Sequence, residues 1–185
     1  MNILFLSPHK HLIEFIESFG DEVIQTVDPL TDKILNEIDF IVSYGYRHII
    51  KKPILDKFKG RAINLHISYL PWNRGADPNL WSFLEDTPKG VTIHYLDDGI
   101  DTGDIIAQTK IKIYEDDTLK TTYQRLSETM ENLFKAYWSD IRKKNIQSMP
   151  QLTYHKSKDK IKYQNFLIKG WDTPIKDIIG KVKER

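Results

Sequence analysis

The sequence contains no cysteine in 185 residues, and that absence removes several kinds of chemistry from consideration. Without cysteine the chain can form no disulfide framework and no thiolate metal site, and it has no cysteine nucleophile. Long hydrophobic runs are also missing, since no stretch approaches the roughly 20 apolar residues that a membrane helix needs. The first residues, MNILFLSPHKHL, lack the length and the cleavage pattern of a signal peptide. We therefore expect a soluble, cytoplasmic protein without a membrane partner.

An excess of charge of either sign is missing as well. Lys and Arg number 27 against 26 for Asp and Glu, which gives a net charge of +1 and no electrostatic case for a nucleic-acid partner. Two nucleotide-binding motifs are also absent. The first predicted strand is followed by SPHKHL rather than G-x-G-x-x-G, and the chain has no G-x-x-x-x-G-K-[ST]. The sequence therefore predicts neither a dinucleotide cofactor nor nucleotide hydrolysis.

Apolar runs alternate with helical patterns along the first 150 residues. The runs predict strands at residues 2–7, 22–27, 40–44, 62–71, 90–96 and 105–114. The helical patterns predict helices at residues 11–19, 31–38, 53–58, 79–84 and 118–143. This alternation favours an α/β fold with a Rossmann-like, mostly parallel sheet and flanking helices.

The helix predicted at 118–143 is the longest one. Its apolar stripe is most simply a face packed on the sheet, and a groove for a partner is the alternative. The stripe consists of Leu119, Tyr123, Leu126, Met130, Leu133, Phe134, Tyr137 and Ile141. Pro150 ends the regular part, so we predict a catalytic domain at 1–150 and a C-terminal appendage at 151–185 that folds back on it.

Polar side chains alternate along the predicted strand AINLHISYLP, residues 62–71. Successive strand side chains point to opposite faces, so Asn64, His66 and Ser68 are expected to share one face. Open α/β sheets bind ligands in the crevice beyond the strand ends, and this strand breaks at Leu70-Pro71. An amide and an imidazole suit a developing oxyanion, and imidazole also moves protons near neutral pH. A purely structural histidine is the alternative.

A carboxylate, Asp101, lies in the Asp- and Gly-rich part of VTIHYLDDGIDTGDII, residues 91–106. A carboxylate beside His66 would favour the charged imidazolium. The alternatives are a solvated acidic turn or a calcium loop, although the spacing differs from that of an EF-hand. His94 is equally compatible with buried structure and with a place behind the site. The histidines have no metal-ligand spacing, so we expect no metal.

These segments together resemble a known family. INLHISYLP followed by NRGADPNLWS and then GVTIHYLDDGIDTGDII is similar to the catalytic core of the folate-dependent formyltransferases, and closest to the sugar-nucleotide N-formyltransferases. The resemblance implies the formyltransferase fold and transfer of a formyl group from 10-formyltetrahydrofolate to a primary amine. It places the catalytic residues at Asn64, His66 and Asp101, with protonated His66 and Asn64 stabilising the oxyanion.

The same resemblance implies where the folate would lie. Its pterin would contact His48, Ile49, Ile50 and Leu55, and the loop formed by Asp97, Asp98, Gly99 and Ile100. Without the family, Ile49, Ile50 and Leu55 are typical of ordinary core.

The resemblance implies an amino sugar as the acceptor, in a nucleotide-linked form. The resemblance places it near six side chains: Ser68, Trp72, Asn73, Arg74, Asn79 and His94. From the residues alone, a packed loop explains Trp72 and Arg74 equally well. The alternatives are glycinamide ribonucleotide or another small amine as acceptor, hydrolysis of 10-formyltetrahydrofolate, or a non-catalytic folate-binding domain. A homodimer is the oligomer we consider.

Overall fold

A six-stranded sheet forms the centre of the described part of the chain. The computed structural model describes residues 1–152 and 163–182. The strands run in the order β2-β1-β3-β4-β5-β6, and the first four are parallel whereas β5 and β6 are antiparallel to their neighbours. The strands are β1 (Asn2–Leu6), β2 (Glu22–Thr26), β3 (Phe40–Ser43), β4 (Ala62–His66), β5 (Gly90–Tyr95) and β6 (Ile105–Lys110). The predicted α/β fold with a mostly parallel sheet is confirmed.

Helices cover both faces of this sheet. They are α1 (Ile13–Glu17), α2 (Asp32–Leu35), α3 (Lys52–Lys57), α4 (Pro78–Leu84) and α5 (Leu119–Arg142). One face packs on α1 and α5, and its core includes Ile63, Ile93 and Phe134. The opposite face packs on the α2 and α3 side, where Ile41 and Ala62 meet Leu35. Because the central strands are covered on both sides, they are continuous apolar runs rather than alternating ones.

Helix α5 begins at a cap that its sequence encodes. The Thr118 side chain accepts the Thr121 backbone N–H, and the Thr121 hydroxyl accepts the Thr118 N–H, which satisfies two exposed donors of the first turn. The predicted apolar stripe is wrong at one point. Tyr137 is 38% exposed, whereas its neighbour Trp138 is fully buried against Phe40. The helix presents the indole to the sheet and leaves the phenol at the surface.

The chain after α5 returns along the sheet and then beside α4. Met149 pairs with Ile105 on the outer side of β6, and Pro174 pairs with Thr118. Further along, Ile175 and Ile178 pack into an apolar cluster with residues of α4. The described part of 151–185 is therefore packed on the domain, while the division at residue 150 stays a prediction. Residues 153–162 and 183–185 of the predicted appendage lie outside the described residues.

Candidate active site

The carboxyl end of β4 presents the amide and the imidazole that the alternating pattern predicts. Asn64 and His66 lie on the same face of β4 as Ala62, and His66 is only 7% exposed. Ser68 does not extend this face, because β4 ends at His66. Its hydroxyl instead donates to the Trp72 carbonyl and holds the turn that follows the strand. The expectation of three polar side chains on one strand is therefore correct for two of them.

The Asp101 carboxylate joins these groups from a distant loop. Its Oδ1 accepts a hydrogen bond from Asn64 Nδ2 at 3.1 Å, and its Oδ2 lies 3.7 Å from His66 Nε2. The backbone N–H of Gly75 donates to the same Oδ2 at 2.8 Å. The structure thus brings together the three side chains predicted to be catalytic. In the sequence, Asp101 lies 37 residues after Asn64 and 35 residues after His66.

The Asp101 loop is held in a conformation that ordinary residues avoid. Asp101 has a φ of +52°, in the left-handed region, where a residue other than glycine is disfavoured. Gly103 follows two residues later, and a Cβ at this position would lie 1.9 Å from the Tyr95 carbonyl oxygen. The loop therefore passes the end of β5 at a distance that only glycine allows.

Burial and charge act against each other in this cluster. Burial would raise the pKa of Asp101, but His66, His94 and the Gly75 N–H together hold it well below its usual range. Burial lowers the pKa of His66, and the Asp101 charge opposes this effect without reversing it. The resting pair is accordingly an ionised Asp101 beside a neutral His66. Asp101 favours the charged imidazolium, as expected, but burial disfavours it more strongly, so the pKa of His66 lies below its ordinary value.

His94 lies directly behind Asn64. Its Nδ1 is 2.8 Å from the Tyr95 carbonyl oxygen, which can only accept, so Nδ1 carries a hydrogen. Its Nε2 lies 3.3 Å from Asn64 Nδ2 and 3.4 Å from Asp101 Oδ1. His94 is 1% exposed, so it supports the site from within rather than from the cleft surface.

The residues predicted to contact folate lie in two different environments. A cleft of about 570 Å³ is lined by Leu55, Asp97 and Asp98, together with Lys52, Asp56, Lys59, Gly60, Tyr95, Leu96, Gly103, Asp104, Lys144 and Ser148. Ile49 is 85% exposed and Ile100 is 54% exposed, so the alternative of ordinary core is wrong for Ile49. Of the remaining predicted residues, His48 is exposed and stacks edge-on against Tyr46, whereas Ile50 packs on the apolar cluster of the α2 and α3 side.

Most residues predicted to contact the acceptor are buried. Asn73 is fully buried, with its amide between Thr87 and Glu85, and Asn79 donates to the Leu119 carbonyl. Ser68, Arg74 and His94 are each less than 5% exposed. Burial and these contacts give the five side chains a structural role. Their role in acceptor binding stays a prediction. Trp72, at 36% exposed, is the one predicted acceptor residue with a large accessible side chain.

Gln151 is a residue of the site that the sequence does not predict. Gln151 donates from Nε2 to the Asp101 carbonyl at 3.0 Å and to the Gly103 carbonyl at 2.8 Å. Its Oε1 accepts from the Arg74 guanidinium, with Nε at 3.1 Å. No local spacing marks this glutamine, because it lies 50 residues beyond the loop that it contacts.

Within residues 1–152 and 163–182, no group of three or more His, Asp or Glu side chains is arranged to hold a metal ion. In the same ranges no helix is long and apolar enough to cross a membrane.

The chain is similar to known formyltransferases in both sequence and structure. The model of the family described as formyl transferase matches residues 20–137. The crystal structure of the formyltransferase PseJ from Anoxybacillus kamchatkensis, in complex with UDP-4,6-dideoxy-4-formamido-L-AltNAc and tetrahydrofolate, is 58% identical, with a TM-score of 0.93. That match covers 99% of this chain and 100% of the PseJ chain.

Two curated relatives belong to other branches. Methionyl-tRNA formyltransferase from Prochlorococcus marinus is 35% identical over 159 residues, which cover 80% of this chain and 48% of the relative. Phosphoribosylglycinamide formyltransferase from Bacillus subtilis is 42% identical over 93 residues, which cover 50% of this chain and 48% of the relative. The chain thus spans about half the length of these curated relatives. Because the family model matches residues 20–137, well over half of the chain, this chain with its mostly parallel sheet and its Asn64, His66 and Asp101 cluster belongs to the formyl transferase family.

Proposed function

We propose that this protein transfers a formyl group from 10-formyltetrahydrofolate to the primary amine of a nucleotide-linked amino sugar. One observation carries the proposal: the clustered Asn64, His66 and Asp101 occur in a chain that is 58% identical, over 99% of its length, to a formyltransferase crystallised with a formamido UDP-sugar and tetrahydrofolate. A cytoplasmic location and a homodimer belong to the same proposal as predictions.

The reaction requires one bond to form and one to break. The neutral amine attacks the formyl carbon, the bond from that carbon to the folate nitrogen breaks, and the proton lost by the amine is returned to the leaving nitrogen. Negative charge develops on the formyl oxygen during the attack. A site for this reaction therefore needs N–H donors directed at that oxygen and a group that can carry the proton.

His66 supplies one N–H donor. Its Nε2 lies 3.3 Å from the Asn73 carbonyl oxygen and 3.7 Å from Asp101 Oδ2. Both oxygens are acceptors, so Nε2 carries a hydrogen whether the ring is neutral or charged. Asn64 supplies a second donor, once one of its N–H groups exchanges the bond to Asp101 for the formyl oxygen. Removing one such donor typically costs about a hundredfold or more in rate.

Asp101 supplies the proton carrier. It is ionised at rest and only 12% exposed at its side chain, so it can accept the amine proton directly or through one water. Asp101 then passes this proton to the leaving folate nitrogen and returns to its ionised form.

The chain also offers a surface suited to a folate. Leu55 and Leu96 line the cleft and provide apolar contacts for a flat heterocycle, and the backbone of the Asp97 loop provides polar groups. Ile49 and Ile100 are exposed and thus accessible to a ligand. When bound, the donor supplies an activated one-carbon unit. For the acceptor, the exposed indole of Trp72 is suited to contact a sugar or base ring.

A formyl-transfer assay against a panel of acceptors tests the proposal. Every reaction contains 10-formyltetrahydrofolate as the donor. The acceptor is a UDP-linked 4-amino sugar, a dTDP-linked amino sugar or glycinamide ribonucleotide, and one reaction contains no amine. We expect a formamido product with a nucleotide-linked amino sugar. Product with glycinamide ribonucleotide alone, deformylation without amine, or folate binding without turnover would each overturn the proposal in favour of a distinct alternative.

A further inference from the structure

Gln151 links the two loops that meet at Asp101. Its carboxamide oxygen accepts from Arg74, in the loop before α4, and its carboxamide nitrogen donates to the carbonyls of Asp101 and Gly103. The neighbouring Gly75 donates its backbone N–H to the Asp101 carboxylate. Residues 74 and 75 therefore hold Asp101 in two places. Gly75 bonds its side chain directly, and Arg74 acts through Gln151 on its backbone carbonyl.

We propose that Gln151 is a positioning residue that fixes the Asp101 loop against the Arg74 loop, and so sets the distance between Asp101 and His66. The inference rests on the proposed function for its kinetic test, but the geometry that it concerns can be measured without turnover.

The chemistry of this junction calls for a primary amide. A guanidinium can only donate hydrogen bonds, and two carbonyls can only accept them. The residue between them must therefore accept on one side and donate twice on the other. Glutamine does both, and all the hydrogens of its amide nitrogen are used at 3.0 Å and 2.8 Å. Glutamate loses both donors, and leucine loses both functions.

The Asp101 loop has a reason to need such support. Asp101 is in the left-handed region, and residues in such conformations persist only where the surroundings fix them. Gln151 bonds the carbonyl of Asp101 itself and that of Gly103, whose α-carbon lies against the Tyr95 carbonyl. Without those two bonds the backbone is free to relax, and the carboxylate moves with it.

The position of Gln151 is itself defined by the fold. Met149 and Ile105 exchange backbone hydrogen bonds, each at 2.8 Å, two residues before Gln151. This pairing brings the C-terminal segment to the end of β6 that follows the Asp101 loop. Gln151 therefore reaches the loop from a segment that is already held by the sheet.

The test compares Gln151→Leu and Gln151→Glu in the full chain with Gln147→Leu as a matched control. Gln147 is an exposed glutamine of the same segment. We expect both Gln151 variants to lower kcat by roughly tenfold to a hundredfold, with little change in the KM for the amino sugar, because misplacement by about 1 Å can cost a hundredfold. Gln147→Leu should match the wild type. Gln151→Glu keeps an acceptor for Arg74, while it removes the donors to the loop and places a carboxylate oxygen against the carbonyls of Asp101 and Gly103, so it disrupts the loop contacts selectively.

A second readout separates positioning from simple stabilisation. The titration of His66 is followed by NMR in the unliganded protein, with the resonance assigned from the His66→Gln spectrum. Asp101 and His94 are the titratable groups that face the ring, and only Asp101 favours its charged form. In Gln151→Leu the midpoint for His66 should therefore shift to lower pH.

Each outcome decides the inference. Normal kcat in Gln151→Glu, or an unchanged His66 midpoint in Gln151→Leu, would overturn it. A loss of thermal stability with unchanged kcat and titration would assign Gln151 a structural role only. If the wild type transfers formyl to no amine, the proposed function fails, while the titration still decides whether Gln151 positions Asp101.

Discussion

Asn64 and His94 face each other across β4 and β5 as direct strand partners, with 3.3 Å between Asn64 Nδ2 and His94 Nε2. The ring of His94 is fixed from the other side by the Tyr95 carbonyl. The amide that is expected to bind the formyl oxygen thus has its orientation set by a neighbour that lies too deep to touch a ligand.

Replacing His94 should weaken catalysis without removing a catalytic group. In His94→Leu, Asn64 keeps its bond to Asp101 but loses the His94 contact that also fixes its orientation, so we expect kcat to fall by about tenfold. The Tyr95 carbonyl also loses its donor, which should cost about 1–3 kcal/mol of unfolding free energy. Formyl-transfer kinetics and urea unfolding check the two effects, and a variant with wild-type kcat would contradict the supporting role.

The three clustered side chains should each be needed for turnover. We expect Asn64→Ala, His66→Ala and Asp101→Asn to keep the fold and to lose about a hundredfold or more in kcat, since each removes a donor or the proton carrier. Circular dichroism and acceptor turnover provide the measurement. Asp116→Asn, at an exposed position outside the site, is the control. Near-normal rates for two of the three variants would contradict the mechanism.

Stability should depend on pH through His66. Its pKa is lowered in the folded protein by burial, so below the ordinary value of about 6.5 the unfolded chain binds a proton that the folded one resists. The free energy of unfolding should therefore be constant above about pH 7 and fall as the pH decreases through 6.5.

Urea unfolding of the wild type and of His66→Gln at about pH 8 and about pH 5.5 measures this dependence. The wild type should lose more stability between the two conditions than the variant. His9, whose pKa burial also lowers, remains in both proteins and contributes equally. Equal losses in the two proteins would show that His66 is not the group responsible.

A second pH effect should come from the start of α5. Arg125 donates to both oxygens of Asp117 at 2.7 and 2.8 Å, and this bond lowers the pKa of Asp117 to about 2. The stabilisation is complete above the ordinary pKa of about 4 and is lost as the pH falls toward 2. At neutral pH, Asp117→Asn should lower the unfolding free energy by about 2–4 kcal/mol, because it leaves the Arg125 charge and the nearby donors poorly matched.

Chemical denaturation at pH near 7 checks this value, with Asp116→Asn as the adjacent control. Asp117 is 3% exposed, whereas Asp116 is exposed. A loss of similar size in both variants would point to the net charge rather than to the Arg125 pair.

The elements of the fold follow from local patterns, but their exact ends do not. Residues 40–44 were recognisable as a strand because β3 is buried on both faces, and the observed strand is Phe40–Ser43. By contrast, the pattern through Ser68 suggested a longer β4 than the one that ends at His66. There the chain turns, and Ser68 satisfies the Trp72 carbonyl instead of continuing the ladder.

Some residues of the site are likewise predictable from local patterns, and others are not. Asn64 and His66 were predictable because strand alternation places them on one face, and Asp101 because it lies in a distinctive loop. The resemblance places Asn73 near the acceptor, and the structure shows its amide between Thr87 and Glu85, so its role in acceptor binding stays a prediction. Gln151 depends on the return of the chain along β6, which no local pattern encodes.

The Gln151 bridge also has a practical meaning for shortening this protein. A version cut at residue 150 would still contain every strand of the sheet and all three clustered side chains. It would lack the amide that ties the aspartate loop down, and also Ile175 and Ile178, which fill the apolar cluster on α4, so it should be both less stable and slower in turnover. Anyone who transplants this catalytic unit into another polypeptide must therefore carry the chain past residue 151.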